Sequence, residues 1–385
     1  MTVLMVKYCP LWITEYGMTR WFSPISTLLC TVALVSCGGE SVSGIHLNTD
    51  QTPAQCSRES IEGELRSALS SVSTDTDFSF YLEDKNGDSF SFNRGNSTLE
   101  TQYESASTSK WVSAAIILQV VDRGLLALDD KPQNYLSESD WGIPNDHPLS
   151  TITLHHLLNF TSGLTESALC ENLPNIEYFQ CVSNIADNNL SSNVPPGSEF
   201  FYNSNHLQVA GAMAIQAGGY ENWLELFDEF KSVTGLFPHS NYNLPSSDNP
   251  RLAGGMTWSG VDYIDFIRAY RDADLYSSRS PVETAISDQI ANVTIAKSPA
   301  YSGLEEDWHY GYGVWVECHK TEFTSDCADN PTVSSPGAYG AYPFLNWQTQ
   351  SFGLIARQGE LGSFREGYAV FNSARQWVDE WVACE

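Results

Sequence analysis

Residues 107–124 narrow the folds open to this chain more than any other stretch. Ser107-Thr108-Ser109-Lys110 runs directly into Trp-Val-Ser-Ala-Ala-Ile-Ile-Leu-Gln-Val-Val and then Asp122-Arg123-Gly124. The Ile116-Ile117-Leu118 and Val120-Val121 runs leave no polar face, so a helix here belongs inside a domain rather than on its surface. Gly124 is a natural stop, because the residue just past a helix end favours the left-handed conformation. A serine at the mouth of a buried helix with a lysine one turn in is costly to bury without a chemical use. On a helix, residues three apart share a face, so the hydroxyl and the amine fall within hydrogen-bonding reach. Burial and the positive helix end disfavour the ammonium form, which leaves an amine able to activate the hydroxyl. The same helix end offers N–H groups to a developing oxyanion.

The 385 residues, 42% of them hydrophobic, suffice for a globular core of one large or two medium domains. With 47 acidic residues against 19 basic ones the net charge is −28, which argues against nucleic acid or an anionic membrane surface as partner. The N-terminus reads as a targeting segment. Phe22 to Val35 is apolar but too short for a mature membrane span, and it ends in Leu34-Val35-Ser36-Cys37-Gly38-Gly39. That ending resembles a bacterial lipobox, with Cys37 lipidated and residues 1–37 forming the signal segment. Met18 is a candidate for the true start, and a plain secretory signal cut elsewhere is the alternative. The expectation is an exported, periplasm-facing lipoprotein of the cell envelope, touching the membrane through its lipid alone. Gly38 is not the usual inner-membrane retention residue, so the outer membrane is favoured.

Beyond Cys9, Cys30 and Cys37, six cysteines remain, an even set that in an exported chain reads as disulfides. Of the fifteen connectivities, the expected one joins the local pairs Cys170–Cys181 and Cys318–Cys327 and ties the two ends through Cys56–Cys384. Metal binding is the alternative, but no Cys-x-x-Cys or His-x-x-x-His spacing supports it.

Residues 38–57 read as a flexible tether. Helical spacing follows from Ser60 to Ser70. Phe78, Phe80 and Leu82 alternate with polar neighbours, as do Phe90 and Phe92, around Lys85-Asn86-Gly87-Asp88, and Asn-Gly marks a hairpin. Asp84, Asn86 and Asp88 also mimic a calcium loop, but no Glu stands at its twelfth position. Residues 125–250 alternate helices and loops. A helix is expected at Asp262–Ala273, strands near Gly311–Glu317, Gly337–Leu345, Phe352–Arg357 and Tyr368–Phe371, and a closing helix at Ser373–Ala383. The fold expected is α/β (α+β): an antiparallel sheet built from both termini and flanked by helices (residues 58–124 and 251–385), with an inserted helical part (125–250).

Several motifs together resemble the serine β-lactamase/penicillin-binding-protein family, in its class C β-lactamase, D-Ala-D-Ala carboxypeptidase and family VIII esterase branch. They are Ser107-Thr-Ser-Lys110, Ile152-Thr-Leu-His-His-Leu-Leu-Asn-Phe-Thr-Ser-Gly-Leu164, Pro196-Gly197-Ser-Glu-Phe-Phe-Tyr202-Asn-Ser204-Asn-His-Leu, Ala253-Gly254-Gly255-Met256 with Asp262 and Phe266, and Tyr310-Gly-Tyr-Gly-Val-Trp315. The resemblance covers about residues 58–385. It implies Ser107 as nucleophile, Lys110 as its base partner, and Tyr202 relaying a proton to the leaving group. A tyrosine beside a lysine is expected to ionise more easily than usual. By alignment, the N–H groups of Ser107 and Ala338 form the oxyanion hole, and Ser204, Ser335 and Gly337 line the substrate. No metal or cofactor is implied.

Two departures bear on substrate. The family's second-motif Asn is Ser204, and its Lys-Thr-Gly is Ser335-Pro336-Gly337, so the cation that would grip a substrate carboxylate is missing. A carboxylester or uncharged amide is therefore expected ahead of a β-lactam or D-Ala-D-Ala peptide. A catalytically silent, ligand-binding relative is the reading from another class. Glu171-Asn-Leu-Pro-Asn175 resembles the deacylating loop of class A β-lactamases, but it precedes Tyr202, the wrong order, and reads as the interior of a disulfide loop. The His155-His156 pair reads as a helix start and core packing.

Overall fold

In the computed structural model, residues 56–384 are described; the signal segment, Met18, Cys37 and nearly all of the tether lie outside them. The chain runs α1 (Arg58–Ser71), β1 (Phe78–Glu83), β2 (Ser89–Arg94), β3 (Gln102–Glu104), α2 (Ser109–Asp122), α3 (Leu154–Leu158), α4 (Tyr178–Asn189), β4 (Glu199–Phe201), α5 (Asn205–Gly218) and α6 (Trp223–Thr234). It continues through β5 (Asn241–Tyr242), β6 (Met256–Ser259), α7 (Gly260–Asp272), α8 (Ser280–Ile286), β7 (Thr294–Lys297), α9 (Pro299–Leu304), β8 (His309–Tyr310) and β9 (Trp315–Val316). It closes with α10 (Ser325–Asp329), β10 (Thr332–Ser334), β11 (Tyr342–Asn346), β12 (Ser351–Ala356) and α11 (Phe364–Ala383).

Both termini build one antiparallel sheet of order β2-β1-β12-β11-β10-β9-β8. The β1–β2 hairpin closes over Asn86-Gly87, and Asp84 Oδ1 accepts from the N–H groups of Asn86 and Asp88. Register places Leu82 opposite Gly353 and Glu83 opposite Phe352. One face therefore carries Phe80, Leu82 and Phe344, and Phe344 packs on Phe371 of α11. The other carries Glu83 and Phe352, met by Arg268 and Arg271 of α7. With helices on both faces the central strands are buried on both sides, as β12 is along its whole length.

Cys56 is bonded to Cys384, Cys170 to Cys181 and Cys318 to Cys327. Two sequence expectations for elements change. Tyr368–Phe371 is no strand but lies within α11, because Tyr368, Phe371, Ala374, Val378 and Trp381 continue one buried helical stripe. Gly311–Glu317 is not a single strand either: β8 and β9 pair with each other across a turn in which Gly313 has φ +72°.

Candidate active site

Ser107 sits in a 3-10 turn, Ala106–Thr108, that leads into α2. Ala106 holds φ +46°, a left-handed conformation that a residue with a Cβ adopts only when its surroundings hold it there. The whole of α2 from Ser109 to Leu118 is buried, so Lys110 is fixed by packing on every side. Its Nζ lies 3.0 Å from Ser107 Oγ and donates to the carbonyl of Ala253 at 2.7 Å. Burial, and secondarily the charge of Arg251, pull the lysine down to about 7, while Glu171 pulls it the other way.

Tyr202 follows β4 and stacks on Trp315, ring centroids 5.0 Å apart. Lys110 Nζ lies 4.9 Å from the centre of its ring. Burial pushes its phenol up to about 12, although Ser107 and Trp315 pull the other way. The expectation of easy ionisation is thus reversed: Tyr202 stays a neutral phenol, suited to passing a proton rather than holding a charge.

Of the residues expected to line the substrate, Ser335 donates its Oγ to the Ser107 carbonyl at 2.9 Å. Gly337 packs against the nucleophile turn so closely that a Cβ would come within 2.5 Å of the Ser105 carbonyl oxygen. Ser204 lies by Glu171 and favours its carboxylate form. None of these three borders the chamber into which Ser107 opens. That chamber, of about 120 Å³, is bounded by Ser107, Tyr202, Trp308, Trp315, Phe364, Pro299, Ala300, Pro336 and Ala338, and none of them is charged. The Ser335 hydroxyl is spent on the Ser107 carbonyl, and Gly337 has no side chain to offer. A larger cavity of about 620 Å³ lies between the end of α11 and the sheet, beside Asp84, Arg375 and Asp379, and holds none of the expected site residues.

The histidines stand apart from this chemistry. His155 meets the Tyr312 hydroxyl at 2.7 Å, and His156 caps its own helix through Thr153. His206 is held between Ser162 and the Phe201 carbonyl, and burial lowers it to about 4. Among the described residues no cluster of His, Cys, Asp and Glu is arranged to hold a metal ion.

Sequence reasoning missed Trp308, Trp315 and Phe364 as chamber walls, and missed Glu171 and Arg251 beside Lys110. Glu171 does lie inside the Cys170–Cys181 loop, yet it is 5% exposed and faces the site rather than solvent. Its sequence signal was the Glu171-Asn-Leu-Pro-Asn175 resemblance, set aside because it precedes Tyr202.

Residues 85–356 match the family model described as Beta-lactamase. No curated protein matches the chain. Among solved structures, a "putative beta-lactamase" from Bacteroides dorei DSM 17855 is 26% identical, with TM-score 0.66 over 79% of this chain and 94% of that one. EstCE1, described as a hydrolase with promiscuous acyltransferase activity, is 16% identical, with TM-score 0.64 over 82% and 98%. A D-stereospecific amidohydrolase from Streptomyces sp. is 16% identical, with TM-score 0.60 over 81% and 98%.

Proposed function

This chain belongs to the Beta-lactamase family, and on that premise we propose that it is a serine hydrolase working through an acyl-enzyme on an uncharged carboxylester or amide. The observation that carries the reading is the Lys110 amine, buried, 3.0 Å from Ser107 Oγ and held near neutrality. Ser107 Oγ attacks the carbonyl carbon and its proton passes to Lys110. The N–H groups of Ser107 and Ala338 gather the oxyanion. As the intermediate collapses, the bond to the leaving group breaks and that group takes a proton through Tyr202. Water then attacks the acyl carbon, gives its proton to the same base and releases the acid, restoring Ser107.

The uncharged chamber supports a neutral substrate. At about 120 Å³ it is slightly smaller than the cavity of roughly 150 Å³ known to accept benzene, so a short or branched apolar group is favoured. Two structural relatives are described as a hydrolase and an amidohydrolase, which is compatible with this reading. Export and lipidation at Cys37 remain part of the proposal, and three disulfides in an acidic chain support an oxidising compartment.

The test is hydrolysis of p-nitrophenyl acetate and butyrate and of nitrocefin by residues 38–385, beside Ser107→Ala. Ester turnover that vanishes in the variant, with nitrocefin untouched, is the expected result. Fast nitrocefin turnover would replace the ester reading with a β-lactamase, and turnover identical in wild type and variant would remove Ser107 from the mechanism.

A further inference from the structure

We propose that Glu306 is the positioning residue that limits the size of the group the Ser107 chamber accepts: its carboxylate anchors Trp308 and the helix that carries Phe364, two of the aromatic walls of that chamber. The proposal deepens, and rests on, the reading of Ser107 as the nucleophile of an ester or amide hydrolase.

Trp308 lies just before β8, is buried, and borders the chamber. Its indole Nε1 donates to Glu306 Oε2 at 2.8 Å. Residues two apart on an extended segment share a side, which brings the two side chains together. The same carboxylate holds α11, because the Tyr368 hydroxyl lies 2.8 Å from both of its oxygens. Tyr368 stands one turn after Phe364, so it lies on the same face of the helix as that chamber wall. His319 completes the anchor. Its Nδ1 is 2.9 Å from Glu306 Oε2 and its Nε2 is 3.2 Å from Glu317 Oε2. The Tyr342 hydroxyl in turn donates to Glu317 Oε1 at 2.7 Å.

Indole N–H groups elsewhere in the molecule do with less. Those of Trp111, Trp141 and Trp223 are buried with no partner among the described residues. That of Trp258 meets the Thr108 hydroxyl at 2.9 Å, and that of Trp381 reaches Glu62 at a longer 3.2 Å. Trp308 takes a charged acceptor at close range, and such bonds are roughly twice as strong as neutral ones. Burial works against the Glu306 charge, but His319, Tyr368 and Trp308 outweigh it and hold the carboxyl below its usual range. Trp308 also packs edge-on against Trp315, ring centroids 6.1 Å apart, and Trp315 stacks on Tyr202. The Phe364 wall is fixed from its other side as well. A Cβ on Gly303 of α9 would come within 2.4 Å of the Phe364 ring, and Arg365 donates to the Ser302 carbonyl at 3.1 Å. With both rings held, a chamber of about 120 Å³ stays closed to long chains. A ring released from Glu306 is free to turn and lengthen it.

The test is ester selectivity of residues 38–385, read as ratios of kcat/KM. One series varies the acyl group (p-nitrophenyl acetate, butyrate and octanoate). The other varies the alcohol (methyl, butyl and octyl acetate, followed by proton release). Glu306→Leu removes the acceptor at similar volume. It is expected to raise the ratio of longest to shortest ester, in at least one series, by on the order of 10-fold. Glu306→Gln keeps a carbonyl oxygen for the indole and is expected to stay nearer wild type. A thermal melt shows which variants are folded. If Glu306→Leu is not, Tyr368→Phe carries the test, since it strips the carboxylate of the hydroxyl that meets both oxygens and should shift the ratio the same way. Wild-type ratios in both series for the folded variant overturn this inference alone. So does a shift in Glu306→Gln as large as in Glu306→Leu, because the hydrogen-bond acceptor would then not be what holds the wall. A wild type that hydrolyses none of these esters overturns the proposed reaction and this inference with it.

Discussion

Lys110 and Tyr202 were legible as a pair in the sequence, but their charge states were not. A lysine beside a tyrosine suggests a shared proton, with the phenol losing it readily. Burial of both side chains reverses the second half of that expectation, lowering the amine to about 7 and raising the phenol to about 12. A group that becomes a base must lose its proton, so in the proposed mechanism Lys110 gains function as pH rises through about 7. In the same mechanism Tyr202 acts protonated, and burial holds its proton up to about 12. Ester hydrolysis is therefore expected to rise across pH 6–8 and to stay level to about pH 10 with no loss assignable to Tyr202, read as kcat/KM in overlapping buffers. A descending limb near pH 9 that disappears in Tyr202→Phe would contradict the neutral-phenol role. The same substitution is expected to lower kcat by about 10²-fold or more with little change in melting temperature. Arg251, Trp308 and Phe364 could not be read in advance, because each reaches the site across long sequence separations.

At the scale of elements, periodicity served where one face or one core defined the segment. The hairpin at Asn86-Gly87, the buried α2 and the outline of α7 follow from local pattern alone. It failed where a short apolar cluster is ambiguous: Tyr368–Phe371 fits a strand as well as a helix until Ala374, Val378 and Trp381 are counted with it. β10, only Thr332–Ser334, is too short to announce itself, yet it leads into the edge that meets the nucleophile turn. That meeting depends on Gly337. A methyl there would lie 2.5 Å from the Ser105 carbonyl oxygen, a backbone atom with nowhere to turn, so Gly337→Ala must push the edge away from Ser107. Widening the gap between the Ser107 and Ala338 N–H groups would misplace the proposed oxyanion site, and a shift of about 1 Å there can cost on the order of 10²-fold in kcat. Stopped-flow kinetics on a variant that melts within a few degrees of wild type would check this. Unchanged kcat would mean that the edge does not position the oxyanion.

At the scale of the whole molecule, the design question is how a sheet assembled from the two ends of a long chain stays closed. Part of the answer is packing: α1 and α11 lie against each other, with the Arg58 guanidinium 4.4 Å from the centre of the Trp381 ring and its Nε donating to the Cys384 carbonyl at 2.7 Å. The rest is the Cys56–Cys384 bond, which closes a loop of 328 residues. In the chain-entropy picture a closure that long restrains the unfolded chain by roughly 5 kcal/mol, more than a short loop can. Neither cysteine borders the Ser107 chamber. Cys56→Ser with Cys384→Ser is therefore expected to lower the melting temperature by on the order of 10 °C while leaving kcat for ester hydrolysis as it was. Cys170→Ser with Cys181→Ser should do the reverse. That loop spans only 11 residues, so its loss costs less stability, but it frees a segment that Asn249 and Arg251 hold in place and should lower kcat. Calorimetry and kinetics on the two double variants separate the roles. If both pairs lowered stability and activity alike, the division between a bond that closes the molecule and a bond that shapes the site would fail.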